Sequence, residues 1–149
     1  MLKVYQFNFN KSSIELNLDY ERLTDIDKEK LASLSADGLL EYEHKGKYAF
    51  MLLANPTDVS LYTKVLDDNF VRYEKKDISE DIIKQNINLE KFFTKNISIS
   101  IVKYQKFLNG INKWIYDNLD IDTILDRINL VGIESLTNIE KKYLENYKQ

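Results

Sequence analysis

The sequence predicts an α+β fold, with an antiparallel or mixed sheet of about five strands, built from two hairpins plus a short strand, and a helical C-terminal half. Three observations predict it. The first ninety or so residues alternate runs rich in aromatic and aliphatic side chains with turn-forming clusters, and the remainder repeats apolar residues at spacings of three and four. No Pro-, Gly- or Ser-rich linker divides the two parts. With 44% hydrophobic residues, ten Tyr, seven Phe and one Trp among 149 residues, the chain has enough apolar surface for a packed core without staples.

The elements follow in order. Leu2 to Phe9 is β-prone. Ile14 to Tyr20 alternates strictly, Ile14, Leu16, Leu18 and Tyr20 against Glu15, Asn17 and Asp19, which reads as a half-buried strand. Asn10 to Ser13 then supplies the turn of a first hairpin. Thr24 and Asp25 cap a helix with Ile26, Leu31 and Leu34 as its apolar stripe and Gly38 as its stop. A second hairpin pairs Leu39 to His44 with Lys47 to Ala54 about Lys45-Gly46, and its Tyr48 to Leu53 run is apolar enough for a central strand. Asn55 caps a helix with Pro56 in its first turn and Val59, Tyr62, Val65 and Leu66 inside, ending at Asp68-Asn69. Phe70 to Tyr73 reads as the fifth strand, and Ser79 opens a helix at Ile82-Ile83.

Further on, Ile97, Ile101, Tyr104, Leu108, Ile111 and Ile115 trace one helical stripe, which Phe107 and Trp114 widen beyond a coiled-coil seam. Asp120 or Asp122 caps a helix carrying Ile121, Leu125 and Ile128, Gly132 breaks it, and Thr137-Asn-Ile-Glu140 forms the capping box of a last helix with Ile139, Tyr143 and Leu144. Residues 1–90 are thus expected to form a sheet domain and residues 91–149 a helical subdomain packed on it.

Composition excludes much chemistry. With no Cys, His44 as the only imidazole and four Gly in total, Cys- or His-based zinc sites and glycine-rich phosphate loops cannot be drawn. His44 sits beside the Lys45-Gly46 turn, a poor place to exclude water or orient an acid–base partner. Asp117, Asp120, Asp122 and Asp126 lack the spacing of a calcium loop and are read as caps and surface charges. No catalytic residue, metal ligand or cofactor is assigned. No segment reaches the ~20 apolar residues of a membrane span, and the N-terminal residues do not resemble a secretory leader, so a cytoplasmic protein without membrane partners is expected.

Net charge is −3, and positive charge rests on interspersed Lys, with Arg22, Arg72 and Arg127 the only arginines. That disfavours nucleic acid as a partner. The segment Leu31 to Leu53 nevertheless resembles the recognition helix and wing of winged-helix DNA-binding proteins, which makes nucleic-acid binding one alternative. An enzyme built on carboxylates and Tyr hydroxyls is another. Ile121-Asp-Thr-Ile-Leu-Asp-Arg-Ile128, Gly132, Ser135-Leu-Thr137, Glu140 and Leu144 are similar to a short helical-hairpin module found at the C-termini of bacterial proteins. The resemblance covers about thirty residues, implies a bacterial or phage origin and a packing or docking element, and carries no catalytic role.

The expected function is non-catalytic binding of another protein, as an adaptor, immunity-type inhibitor or regulatory subunit. The abundance of Tyr favours an interface and the acidic balance favours a basic partner. Tyr5, Phe7 and Phe9 are the candidate partner-binding residues, because they share the face of the first strand opposite Val4.

Overall fold

The computed structural model of the chain describes residues 1–34, 38–84, 87–94 and 101–147; Ile97, placed above on a helical stripe, lies outside the described residues. Strand β1 (Lys3–Phe9) is followed by helices α1 (Ser13–Glu21) and α2 (Asp25–Ala32), the hairpin β2 (Leu39–His44) and β3 (Lys47–Ala54), helix α3 (Pro56–Asp68) and strand β4 (Tyr73–Asp77). Helices α4 (Ser79–Ile83), α5 (Leu89–Thr94), α6 (Ile101–Asn118), α7 (Ile121–Val131) and α8 (Asn138–Tyr147) complete the chain, with a 3-10 turn at Ile133–Ser135. The fold is α+β. Its sheet has four antiparallel strands in the order β2-β3-β1-β4 rather than about five.

The missing strand is α1. Alternation at Ile14, Leu16, Leu18 and Tyr20 reads as β-structure, but Ser12 and Glu15 form a capping box: the Ser12 hydroxyl accepts from the Glu15 N–H at 3.3 Å, and the Glu15 carboxylate accepts from the Ser12 N–H at 3.3 Å. Two orphan N–H groups are thereby satisfied at the helix start. The first hairpin is accordingly absent, and β1 pairs with β3 and β4, Phe7 lying opposite both Phe50 and Lys75.

The fifth strand is displaced. Phe70 takes φ 57, and pairing resumes only at Tyr73. Strand β4 is exposed apart from Tyr73, so its membership of the sheet comes from backbone pairing with β1 and not from an apolar face. At its far end the Ile78 N–H donates to the Val4 carbonyl at 2.9 Å, and the Val4 N–H donates to the Ser79 hydroxyl at 2.9 Å.

Other expectations hold. Thr24 caps α2, Asn55 caps α3 with Pro56 in the first turn, and β3 lies between β2 and β1. Lys45 and Gly46 turn the second hairpin with φ 54 and 77, the positive pair that a two-residue type I′ turn requires. Gly38 is not the stop of α2, which ends at Ala32; a Cβ at Gly38 would lie 2.4 Å from the Leu53 carbonyl oxygen. Close approach to β3 explains that glycine.

The sheet is covered on both faces. Tyr5, Phe7, Phe9, Phe50, Leu52 and Ala54 meet Leu16 of α1, Leu34, and Val59, Tyr62 and Leu66 of α3. Phe7 stacks on Phe50 with ring centroids 4.6 Å apart. On the other face Val4, Leu40, Tyr42, Ala49 and Met51 meet Ile82, Leu89, Phe93 and the α6 stripe Phe107, Ile111, Trp114 and Ile115. At the start of α6 the expected stripe is bare, since Ile101 is exposed, and it reaches the core from Tyr104 onward. Trp114 also donates from Nε1 to the Leu2 carbonyl at 3.1 Å. This core draws on residues before and after position 90 alike.

At the C-terminus Asp120 caps α7, accepting from the Thr123 N–H at 2.7 Å, and Gly132 breaks it with φ 83. Thr137 and Glu140 form the expected capping box. Glu140 is wholly buried and accepts from Arg127 Nε of α7 at 3.3 Å, so one carboxylate serves both the cap and the α7–α8 contact. Ile124 and Leu136 enter the main core, while Ile128, Ile139, Tyr143 and Leu144 pack against it.

Candidate functional site: an uncovered helix face and an arginine-lined groove

Tyr5, Phe7 and Phe9 retain only 7%, 0% and 4% of their accessible surface. They lie beneath α1 and α3 and build the core, so they offer no surface to a partner, and the basis for assigning them to an interface is removed. Both faces of β1 are covered by the chain's own helices.

The other singled-out residues are equally local in their roles. His44 is exposed at the end of β2, paired across the turn with Lys47. Asp120 is held below the ordinary carboxylate range by the backbone N–H and side chain of Thr123, the capping role expected of it. Among the described residues no three Asp, Glu or His side chains gather as a metal site would need. No helix among them is long and apolar enough to cross a membrane. The hairpin likened to a wing forms half of the central sheet, with β3 in its interior.

Carboxylate and phenol come together at two places among the described residues, one of them on the surface where the Tyr73 hydroxyl donates to Asp67 at 2.8 Å. At the other, Tyr48 of β3 donates to Glu41 of β2 at 2.5 Å, and Tyr20 of α1 and Tyr62 of α3 lie alongside. The Tyr20 hydroxyl is buried and faces that of Tyr62. Burial, and then the neighbouring phenols and Glu41, push Tyr48 and Tyr62 far above the ordinary phenol range. An acid–base catalyst is tuned toward neutrality, which is the opposite direction. These phenols are held protonated as parts of the core.

Two surface features bear on function. One is the outer face of α1. At 100° per residue a period of two places Ile14 and Leu18 on one side and Leu16 and Tyr20 nearly opposite. Leu16 is buried, whereas Ile14 and Leu18 are 75% and 55% exposed. Between Ser13 and Ala32 there are six acids (Glu15, Asp19, Glu21, Asp25, Asp27, Glu29) against three bases (Arg22, Lys28, Lys30), so this apolar stripe lies in an acidic stretch.

The other is a groove of about 450 Å³ where the end of α1 meets the segment joining α3 to β4, lined by Lys11, Asp19, Arg22, Asn69, Phe70 and Arg72 among others. Helix α3 ends there in a Schellman motif, with the Val71 N–H donating to the Leu66 carbonyl at 2.9 Å and the Phe70 N–H to the Asp67 carbonyl at 3.2 Å. Phe70 therefore fills the left-handed position that glycine usually takes, with its side chain 92% exposed. The sequence alone does not show this groove, since Phe70 reads there as strand and Arg22 and Arg72 lie fifty positions apart.

Compared with known proteins, the chain matches no family model, no curated protein and no solved structure.

Proposed function

We propose that this chain is a small non-catalytic protein-binding protein, acting as an adaptor, immunity-type inhibitor or regulatory subunit, and that it docks through the outer face of α1. The observation that carries the reading is that α1 is apolar on two opposite faces, of which only one is covered. A helix serving the core alone needs one apolar stripe. Exposed side chains of this kind are worth about 1.5–3 kcal/mol each when a partner buries them fully, enough for two to anchor an interface.

The surrounding acids favour a basic partner. The partner presents an apolar patch rimmed by Lys or Arg, and association is faster at low ionic strength. Capture with the tagged full chain, compared with an Ile14→Glu/Leu18→Glu double variant of matching circular dichroism and thermal midpoint, tests the reading. A partner with such a patch should be retained by the parent chain and lost from the variant. A partner held equally by both would place the interface elsewhere.

A further inference from the structure

The groove beside Phe70 has an electrostatic character unlike the rest of this acidic chain. Two of its three arginines, Arg22 and Arg72, line it. Among the described residues neither guanidinium enters an ion pair or a hydrogen bond; the four ion pairs use Lys3, Lys11, Lys84 and Arg127. The acid in the wall, Asp19, is already neutralised by Lys11 Nζ at 2.7 Å. In the adjoining cavity Asp67 accepts from the Tyr73 hydroxyl at 2.8 Å, and Glu74 faces that cavity too. Arg72 lines that cavity as well, yet neither acid comes within ion-pairing distance of it, so two guanidiniums border the groove unpaired among the described residues.

The C-terminal ends of the flanking helices α1 and α3 supply partial negative charge only, and several of their last carbonyls are already engaged. At the end of α1 the Arg22 and Leu23 N–H groups donate to the Asp19 and Tyr20 carbonyls at 3.2 and 3.1 Å, and at the end of α3 the Asn69, Phe70 and Val71 N–H groups take up the last turn. Phe70 adds an apolar rim. A left-handed residue with a Cβ costs about 1–2 kcal/mol, and an exposed ring recovers none of it by packing within the chain.

We propose that this groove binds a phosphate monoester carried on an aromatic or apolar body, the phosphate lying between Arg22 and Arg72 and the body against Phe70. A monoester bears about −1.5 to −2 near neutral pH, which matches two guanidiniums, whereas one carboxylate leaves a charge unmatched. Planar guanidinium forks grip tetrahedral oxyanions through paired hydrogen bonds. The groove volume of about 450 Å³ suits a small ligand. The same chemistry is offered by a free phosphorylated molecule and by a phosphorylated side chain of another protein.

Calorimetric titration of the full chain with phenyl phosphate, inorganic phosphate and phenol at fixed ionic strength tests the site without any partner protein, so its outcome is independent of the α1 reading. Saturable binding of phenyl phosphate is expected, weakened about tenfold or more in each of Arg22→Gln and Arg72→Gln, with phenol silent. Phe70→Gly should weaken phenyl phosphate severalfold and leave inorganic phosphate unchanged. All three side chains are exposed, so the variants keep the fold. Absence of saturable binding, or an affinity in both arginine variants equal to that of the parent chain, overturns the proposal. A phosphotyrosine peptide that binds more tightly than phenyl phosphate assigns a protein source, and one that binds more weakly assigns a free molecule; both results sustain the site.

Discussion

Glu140 is the residue whose loss should be felt most. Wholly buried, it satisfies the Thr137 N–H and holds Arg127 at 3.3 Å. Removing one member of such a pair strands the other, so Glu140→Ala should lower stability by about 3–5 kcal/mol in urea unfolding, with α8 melting first in amide exchange. At Phe70 the expected sign is opposite. Phe70→Gly should raise stability by roughly 0.5–1 kcal/mol, because left-handed strain is relieved and only part of the gain is lost to the unfolded chain's extra freedom. The phenol cluster sets an alkaline limit. Tyr20, Tyr48 and Tyr62 are all raised from the ordinary value of 10.0, chiefly by burial. Their contribution is therefore complete below pH 10.0 and is lost as pH rises above it, because the unfolded chain releases its phenolic protons first. Unfolding midpoints measured across that range should fall together with the appearance of tyrosinate absorbance.

At the level of the element, α1 shows why alternation alone misled. A period of two is compatible with a strand or with a helix covered on one side and bare on the other, and the arbiter was the Ser12-Ser-Ile-Glu15 capping box. That signal was present in the sequence, and the residues it governs, Leu, Glu and Asn more than β-branched types, do not favour a strand. Substitution separates the two cases. Leu16→Ala should cost about 2–5 kcal/mol, while Ile14→Ala and Leu18→Ala should stay within about 0.5 kcal/mol. A strand would make all three costly. Strand β4 was illegible for a different reason: Tyr73-Glu-Lys-Lys-Asp77 carries no buried face beyond Tyr73, and only its pairing with β1, some seventy positions away, makes it a strand. Caps, by contrast, act over three residues, which is why Thr24, Asn55, Asp120 and Thr137 were all readable.

For the whole molecule, the sequence revealed the order of most elements but not that the sheet is sandwiched. With α1 read as a strand, only α2 and α3 remained to cover the Phe7 face, and the aromatic β1 side chains were left looking for an external partner. The candidate surfaces were illegible for the same reason, because an exposed stripe on α1 and a groove joining Arg22 to Arg72 exist only once the layers are assembled. The two halves also share one core: Phe107, Ile111 and Trp114 cover Val4, Leu40 and Met51. A fragment ending at residue 90 should consequently fail to fold cooperatively, exposing that sheet face and losing amide protection throughout β1 and β3.

The central claim is that α1 presents its outer face to another protein. Site-specific photocrosslinking in cells that naturally express the chain, with the reactive group at position 18 or, as control, at position 29 of α2, tests it most directly. One discrete adduct from position 18, with a protein whose apolar patch is rimmed by basic residues, is the result expected. No adduct from position 18, or the same adducts from both positions, would contradict it.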